Sequence, residues 1–98
     1  MKIFMVEALV PVNPSVEFFS LIPSQRIKVG ELMTQKKIVS YSFSADRSKL
    51  WIIMNSESES EARLTLAQQP LDRFFTYSFH ELMFHEIAGM LFPAVSLN

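Results

Sequence analysis

The chain has 98 residues, 49% hydrophobic and 19% charged, with nine phenylalanines, a net charge of −1 and no cysteine. One domain fits that length. The near-balanced charge leaves no electrostatic footprint for nucleic acid, and the lack of cysteine excludes disulfides, thiolate chemistry and cysteine-held zinc, in keeping with a cytoplasmic setting. Average chains carry about 25% charged residues, so the apolar excess of so small a domain is expected to line a pocket or a subunit interface.

No run of about 18 apolar residues is present to cross a membrane. The apolar start, Met1–Val10, is interrupted by Lys2 and Glu7 and precedes no small-residue cleavage site, so it reads as a strand and not as a leader. Alternation from Lys2 to Val10 puts Phe4, Val6, Ala8 and Val10 on one face and Ile3, Met5, Glu7 and Leu9 on the other. That pattern predicts a central strand covered on both sides. Asn13-Pro14 predicts a helix start, with Asn13 as N-cap and proline at the first helical position. Phe19, Ile22, Val29, Leu32 and Met33 then form a helical stripe, which Pro23 breaks near Ile22. Lys36-Lys37 closes the helix.

From Ile38 to Ala45, Val39, Tyr41 and Phe43 alternate with Ser40, Ser42 and Ser44, predicting a strand with one apolar face. Asp46-Arg47-Ser48 is the turn of a hairpin, and Lys49 to Asn55 is its second strand. Ser58 and Glu61 have capping-box spacing before a helix expected over about Glu59 to Gln68 that buries Ala62 and Leu66 and ends at Pro70. The last strand is expected from Arg73 to Met83, with Phe75, Tyr77 and Phe79 on one face and Thr76, Ser78 and His80 on the other. The order β-α-β-β-α-β predicts an α+β, ferredoxin-like sandwich: a four-stranded antiparallel sheet with two helices on one face. Residues 1–98 form a single domain whose apolar tail, from about Phe84 to Asn98, is expected to pack on a partner.

The sheet face without helices would carry Ser40, Ser42, Ser44, Thr76, Ser78, His80 and Glu7. Two such faces packed together make a two-fold dimer with a semi-polar interior. Glu7, a carboxylate in an otherwise apolar strand, is expected to be desolvated and suited to proton abstraction beside a carbonyl. His80 is the companion acid or oxygen donor. Ser42, Ser78, Trp51 and Arg26 are the candidate ligand contacts, Arg26 for a carboxylate. His80 and Glu81 should point to opposite faces and His85 lies beyond the strand, so no metal set forms. With two glycines in the chain, no phosphate-cradling loop exists.

The element order, the opening strand running into "PVNP", and "LAQQPLDRFF" leading into the last strand resemble the muconolactone isomerase-like proteins of the dimeric α/β barrel superfamily. The resemblance spans residues 1 to 83, and its most specific piece is Leu66 to Leu71 with Phe74 and Phe75. It implies sheet-to-sheet dimers that can assemble further, a small-molecule pocket between sheet and neighbouring chain, and cofactor-free movement of a double bond in an unsaturated lactone. On the first strand, where the isomerases present basic and polar residues, Glu7 is the one polar residue among Ile3, Met5, Glu7 and Leu9. The expected function is therefore a cofactor-independent isomerase-like enzyme, or a binding protein, for a small unsaturated or carboxylated compound. The alternative is a non-catalytic assembly or ligand-sensing module. A haem-binding barrel would need a histidine aimed into its cavity, a place for which His80 is the candidate.

Overall fold

The computed structural model describes residues 1–88, so most of the apolar tail, and its expected packing on a partner, lies outside the described residues. The elements are β1 (Lys2–Leu9), α1 (Val16–Ser20), α2 (Ile22–Thr34), β2 (Ile38–Phe43), β3 (Lys49–Ser56), α3 (Glu59–Leu66) and β4 (Thr76–Leu82), with a 3-10 turn over Asp72–Phe74. The strands order as β2-β3-β1-β4, every neighbour antiparallel. This is an α+β chain, and its layout is compatible with the ferredoxin-like arrangement.

The first predicted helix is two helices. Pro23 has no N–H to donate, so it is tolerated only in a first turn; accordingly α1 stops at Ser20, Leu21 serves as cap to both helices, and α2 restarts at Ile22. The start differs from the Asn13-Pro14 expectation. Ser15 is the N-cap, its hydroxyl accepting from the Phe18 amide at 3.2 Å. Because the helix is broken, its stripe also turns: Phe18, Gln25, Val29 and Leu32 are buried, while Phe19 and Met33 are exposed. Lys36 and Lys37 lie just past the C-cap, where Lys36 adopts a left-handed φ of 61°. The Lys36 and Lys37 amides bond back to the Met33 and Leu32 carbonyls at 2.9 Å each, closing the helix as a Schellman turn.

Strand β2 carries a bulge between Ile38 and Ser40. Val39 is the extra residue, so Ile38, not Val39, occupies the core position opposite Met54. Ser44 is not on the sheet face either. It belongs to the hairpin turn, where its hydroxyl donates to Asp46 and accepts from the Ser48 and Lys49 amides. Helix α3 has Ser58 as N-cap, its hydroxyl accepting from the Glu61 backbone amide, buries Ala62 and Leu66 as expected, and ends at Leu66, before the expected Gln68. Strand β4 starts at Thr76 because the 3-10 turn takes up Asp72 to Phe74.

The core sits between the helices and one face of the sheet. Phe4, Val6, Ile52, Met54, Val29, Leu32, Ala62 and Leu66 fill one part. Ala8, Val10, Leu50, Phe18, Leu71 and Phe75 fill the other. Edge-to-face aromatic pairs run along β4 and its approach, from Phe18–Phe75 at 6.4 Å through Phe75–Tyr77 and Tyr77–Phe79 to Phe4–Phe79.

Two outcomes follow from the turns. Replacing Lys36 by glycine removes a left-handed Cβ and should raise stability by about 1 kcal/mol, measured by urea denaturation. Asp46 accepts from the Ser44 and Ser48 hydroxyls at 2.7 Å each and from the Ser48 amide at 3.0 Å. The Ser48 and Ser44 bonds hold its pKa down to about 2. A carboxylate lowered on folding stabilises above its unfolded pKa of 3.8 and loses that contribution as pH falls towards 2. Asp46→Ala should therefore lower the melting temperature at pH 7, and its difference from the native chain should shrink as pH falls through that window.

Candidate functional site

The sequence candidates divide between the two sides of the sheet. On the side without helices, the register sets Ser42 opposite Trp51, Trp51 opposite Glu7 and Glu7 opposite Ser78, one row across all four strands. In the next row stand Ser40, Ile53, Met5 and His80. Five of the six candidate residues are thus brought together by strand pairing alone. Around them, Met5, Leu9 and Trp51 are exposed, giving the row an apolar frame.

Glu7 lies at the centre. The Trp51 indole N–H donates to its Oε1 at 3.1 Å, and the Lys49 ammonium stands 4.0 Å from the same oxygen. The other oxygen carries no bond from the described residues. The Glu7 side chain keeps 36% of its accessible surface. The expected desolvation is therefore absent within one chain, because the second cover of β1 does not come from the chain's own described residues. His80 sits diagonally from Glu7, a relation that spans about 7–8 Å in a sheet, so an atom of a ligand could lie between them. Glu81 pairs with Phe4 in register and faces Lys2 at 3.6 Å, on the opposite face from His80. Among the described residues, no three of histidine, aspartate and glutamate gather as a metal set.

Arg26 is not part of this face. It stands on α2, on the helix side, at the rim of a cavity of about 430 Å³ lined by Phe18, Val29, Gln25, Tyr41 and Phe43 among others. Beside that cavity lies a buried polar chain which the sequence reading did not include. Gln25 is 4% exposed and Gln69 3%. The Leu71 amide donates to Gln25 Oε1 at 3.0 Å, which orients the Gln25 amide so that its Nε2 donates to Gln69 Oε1 at 2.8 Å and to the Tyr41 hydroxyl at 3.3 Å. Gln69 Nε2 in turn donates to the Leu66 carbonyl and to the Tyr77 hydroxyl, both at 3.1 Å, and Tyr77 donates to Asp72 Oδ1 at 2.7 Å. The signal was available: Gln25 falls on the same helical stripe as Ile22, Val29 and Leu32. A polar residue on an apolar stripe must find buried partners. Its partner Gln69, lying 44 residues away, had no such signal.

Burial raises the pKa of both tyrosines, and for Tyr77 the Asp72 carboxylate adds to the rise. Both hydroxyls therefore stay protonated as donors far above neutral pH. A scan of protein-family models finds none that matches this chain, and a search of curated proteins finds no match either.

Replacing Gln25 by leucine would strand the buried Leu71 amide and Gln69 carbonyl oxygen, and should cost about 1–3 kcal/mol in urea denaturation. Spectrophotometric titration at alkaline pH should show neither tyrosine ionising near 10 while the chain stays folded. A group whose folded pKa is raised stabilises below its unfolded value and loses that contribution as pH rises. Unfolding and tyrosinate absorbance should therefore appear together above about pH 10.

Proposed function

We propose that the chain acts as a homodimer whose two open sheet faces close over a small unsaturated or carbonyl compound, with Glu7 as a cofactor-independent proton acceptor and donor. The observation that carries this reading is the Glu7–Trp51 pair at the centre of an apolar-framed sheet face on which Met5, Leu9 and Trp51 stay exposed among the described residues. Four strands about 4.8 Å apart and up to eight residues long present roughly 500 Å² of projected face per copy. Pairing two of them reaches the roughly 1,000 Å² expected of a specific interface. It would also take Met5, Leu9 and Trp51 out of water.

Covering this face would complete the desolvation of Glu7 that one chain lacks. Trp51 and Lys49 hold one carboxylate oxygen, leaving the other to take a proton beside a carbonyl and return it at a different carbon. His80, one diagonal away, would donate to the oxygen on which charge develops. Ser42 and Ser78, flanking in the same row, would bond the polar edge of the compound. This is the chemistry implied by the resemblance to muconolactone isomerase-like proteins, performed with a different base.

Two measurements test the reading. Sedimentation should give a dimer for the native chain and a monomer for Leu9→Glu, which places a charge in each copy of the proposed interface. Nuclear magnetic resonance in deuterated water should show exchange into an unsaturated γ-lactone beside its carbonyl, slowed about 10²–10⁴-fold by Glu7→Gln with the dimer retained. A native monomer, or exchange indifferent to Glu7, would refute it. A dimer without exchange would leave the sheet face to assembly or ligand sensing alone.

A further inference from the structure

The cavity on the helix side of the sheet lies apart from the Glu7 face, and nothing in the proposed proton transfer uses it. Its volume of about 430 Å³ falls in the range of about 300–1,000 Å³ typical of small-molecule sites. The walls are apolar and rich in rings, with Phe18 and Val29 buried at the back and Phe43 exposed at the mouth. Two lining groups have unspent polar capacity. The Tyr41 hydroxyl accepts from Gln25, and among the described residues nothing accepts its own proton. Gln25 cannot turn away to serve it, because the Leu71 amide and Gln69 hold both ends of its side chain. Arg26, at the rim, forms no ion pair among the described residues, and no acidic side chain lines the cavity with it.

The geometry points to a second ligand site here, for a small aromatic molecule that carries one anionic group: the ring system fills the cavity between α2 and β2, an acceptor atom takes the Tyr41 proton, and the anion pairs with Arg26. Each part of that description has its own cause. Ring-lined walls favour aromatic occupants through edge-to-face packing. An unpaired donor in an apolar wall favours an acceptor and disfavours a plain hydrocarbon. A guanidinium with no ion pair among the described residues favours a carboxylate or sulfonate, which it can grip with two parallel bonds. Burial keeps Tyr41 protonated and so a donor at neutral pH.

The test uses two fluorescent probes that share a ring skeleton and differ in charge: 8-anilinonaphthalene-1-sulfonate and the neutral N-phenyl-1-naphthylamine. Both should bind the full chain. Arg26→Ala should weaken the sulfonate about tenfold, the equivalent of one net charge-assisted contact, and leave the neutral probe unchanged. Val29→Phe, which fills the cavity, should weaken both. Leu9→Glu, on the far face of the sheet, should change neither, whatever it does to the oligomer. Equal response of the two probes to Arg26→Ala, or loss of binding in Leu9→Glu, would overturn the site. Should Val29→Phe fail to fold by circular dichroism, the Arg26 and Leu9 variants decide alone, since both positions are exposed.

Discussion

Strand β1 is the constraint on which the rest of the molecule depends. It is bonded along its length by β3 on one edge and β4 on the other, so its alternation is imposed on both neighbours. Phe4, Val6, Ala8 and Val10 go under the helices, and Ile3, Met5, Glu7 and Leu9 go to the open side. A one-residue slip on either edge would exchange those sets. It would carry Glu7 into the core and strand a carboxylate among Ile52, Phe79 and Met54. The location of the candidate site is therefore secured by the same hydrophobic sorting that secures the fold.

The helices are held to this sheet by two different means. Apolar packing of Val29, Leu32, Ala62 and Leu66 supplies most of the driving force and little direction. The Gln25–Gln69 bond supplies direction: it joins α2 to the segment after α3, and through Tyr41 and Tyr77 it ties both to the two edge strands of the sheet, β2 and β4. Among the described residues every donor in that network has an acceptor apart from the Tyr41 hydroxyl. A satisfied buried network is rigid, since any member that leaves exposes the others to the cost of burial without a partner. Rigidity at Gln25 is also what keeps the Tyr41 proton available to the cavity.

The sheet thus has two sides of unlike chemistry. One is a face with a central carboxylate, on which Met5, Leu9 and Trp51 stay exposed among the described residues. The other is a cavity between the helices and the sheet, with a tyrosine hydroxyl and the guanidinium of Arg26, which has no ion pair among the described residues. The four residues Ser42, Trp51, Glu7 and Ser78 share a row by pairing, whereas Arg26 is separated from them by the thickness of the sheet. An anionic compound held by Arg26 therefore cannot also reach Glu7 in the same chain.

Much of this was legible in the letters. Period-two runs in β1 and β4, the proline break near Ile22 and the Ser58 cap are local: each depends on neighbours a few residues apart, and the structure has each of them. The side of the sheet to which Glu7, Ser42, Ser78 and His80 belong follows from the same alternation once the strands pair, whereas Trp51, in an apolar run, takes its side from its pairing with Glu7 and Ser42. What the letters did not carry was non-local or finely balanced. The cap is Ser15 and not the expected Asn13, because the path of the chain brings the Ser15 hydroxyl to the Phe18 amide. The bulge at Val39 shifts the β2–β3 register by one residue, which shows only once the two strands are paired. The Gln25–Gln69 bond, the cavity beside it and the separation of Arg26 from Glu7 arise from residues brought together across 44 positions or divided by a sheet. Local patterning determined which residues face which way, because side-chain direction follows backbone period; tertiary packing decided which of them meet, because meeting depends on the whole chain's path.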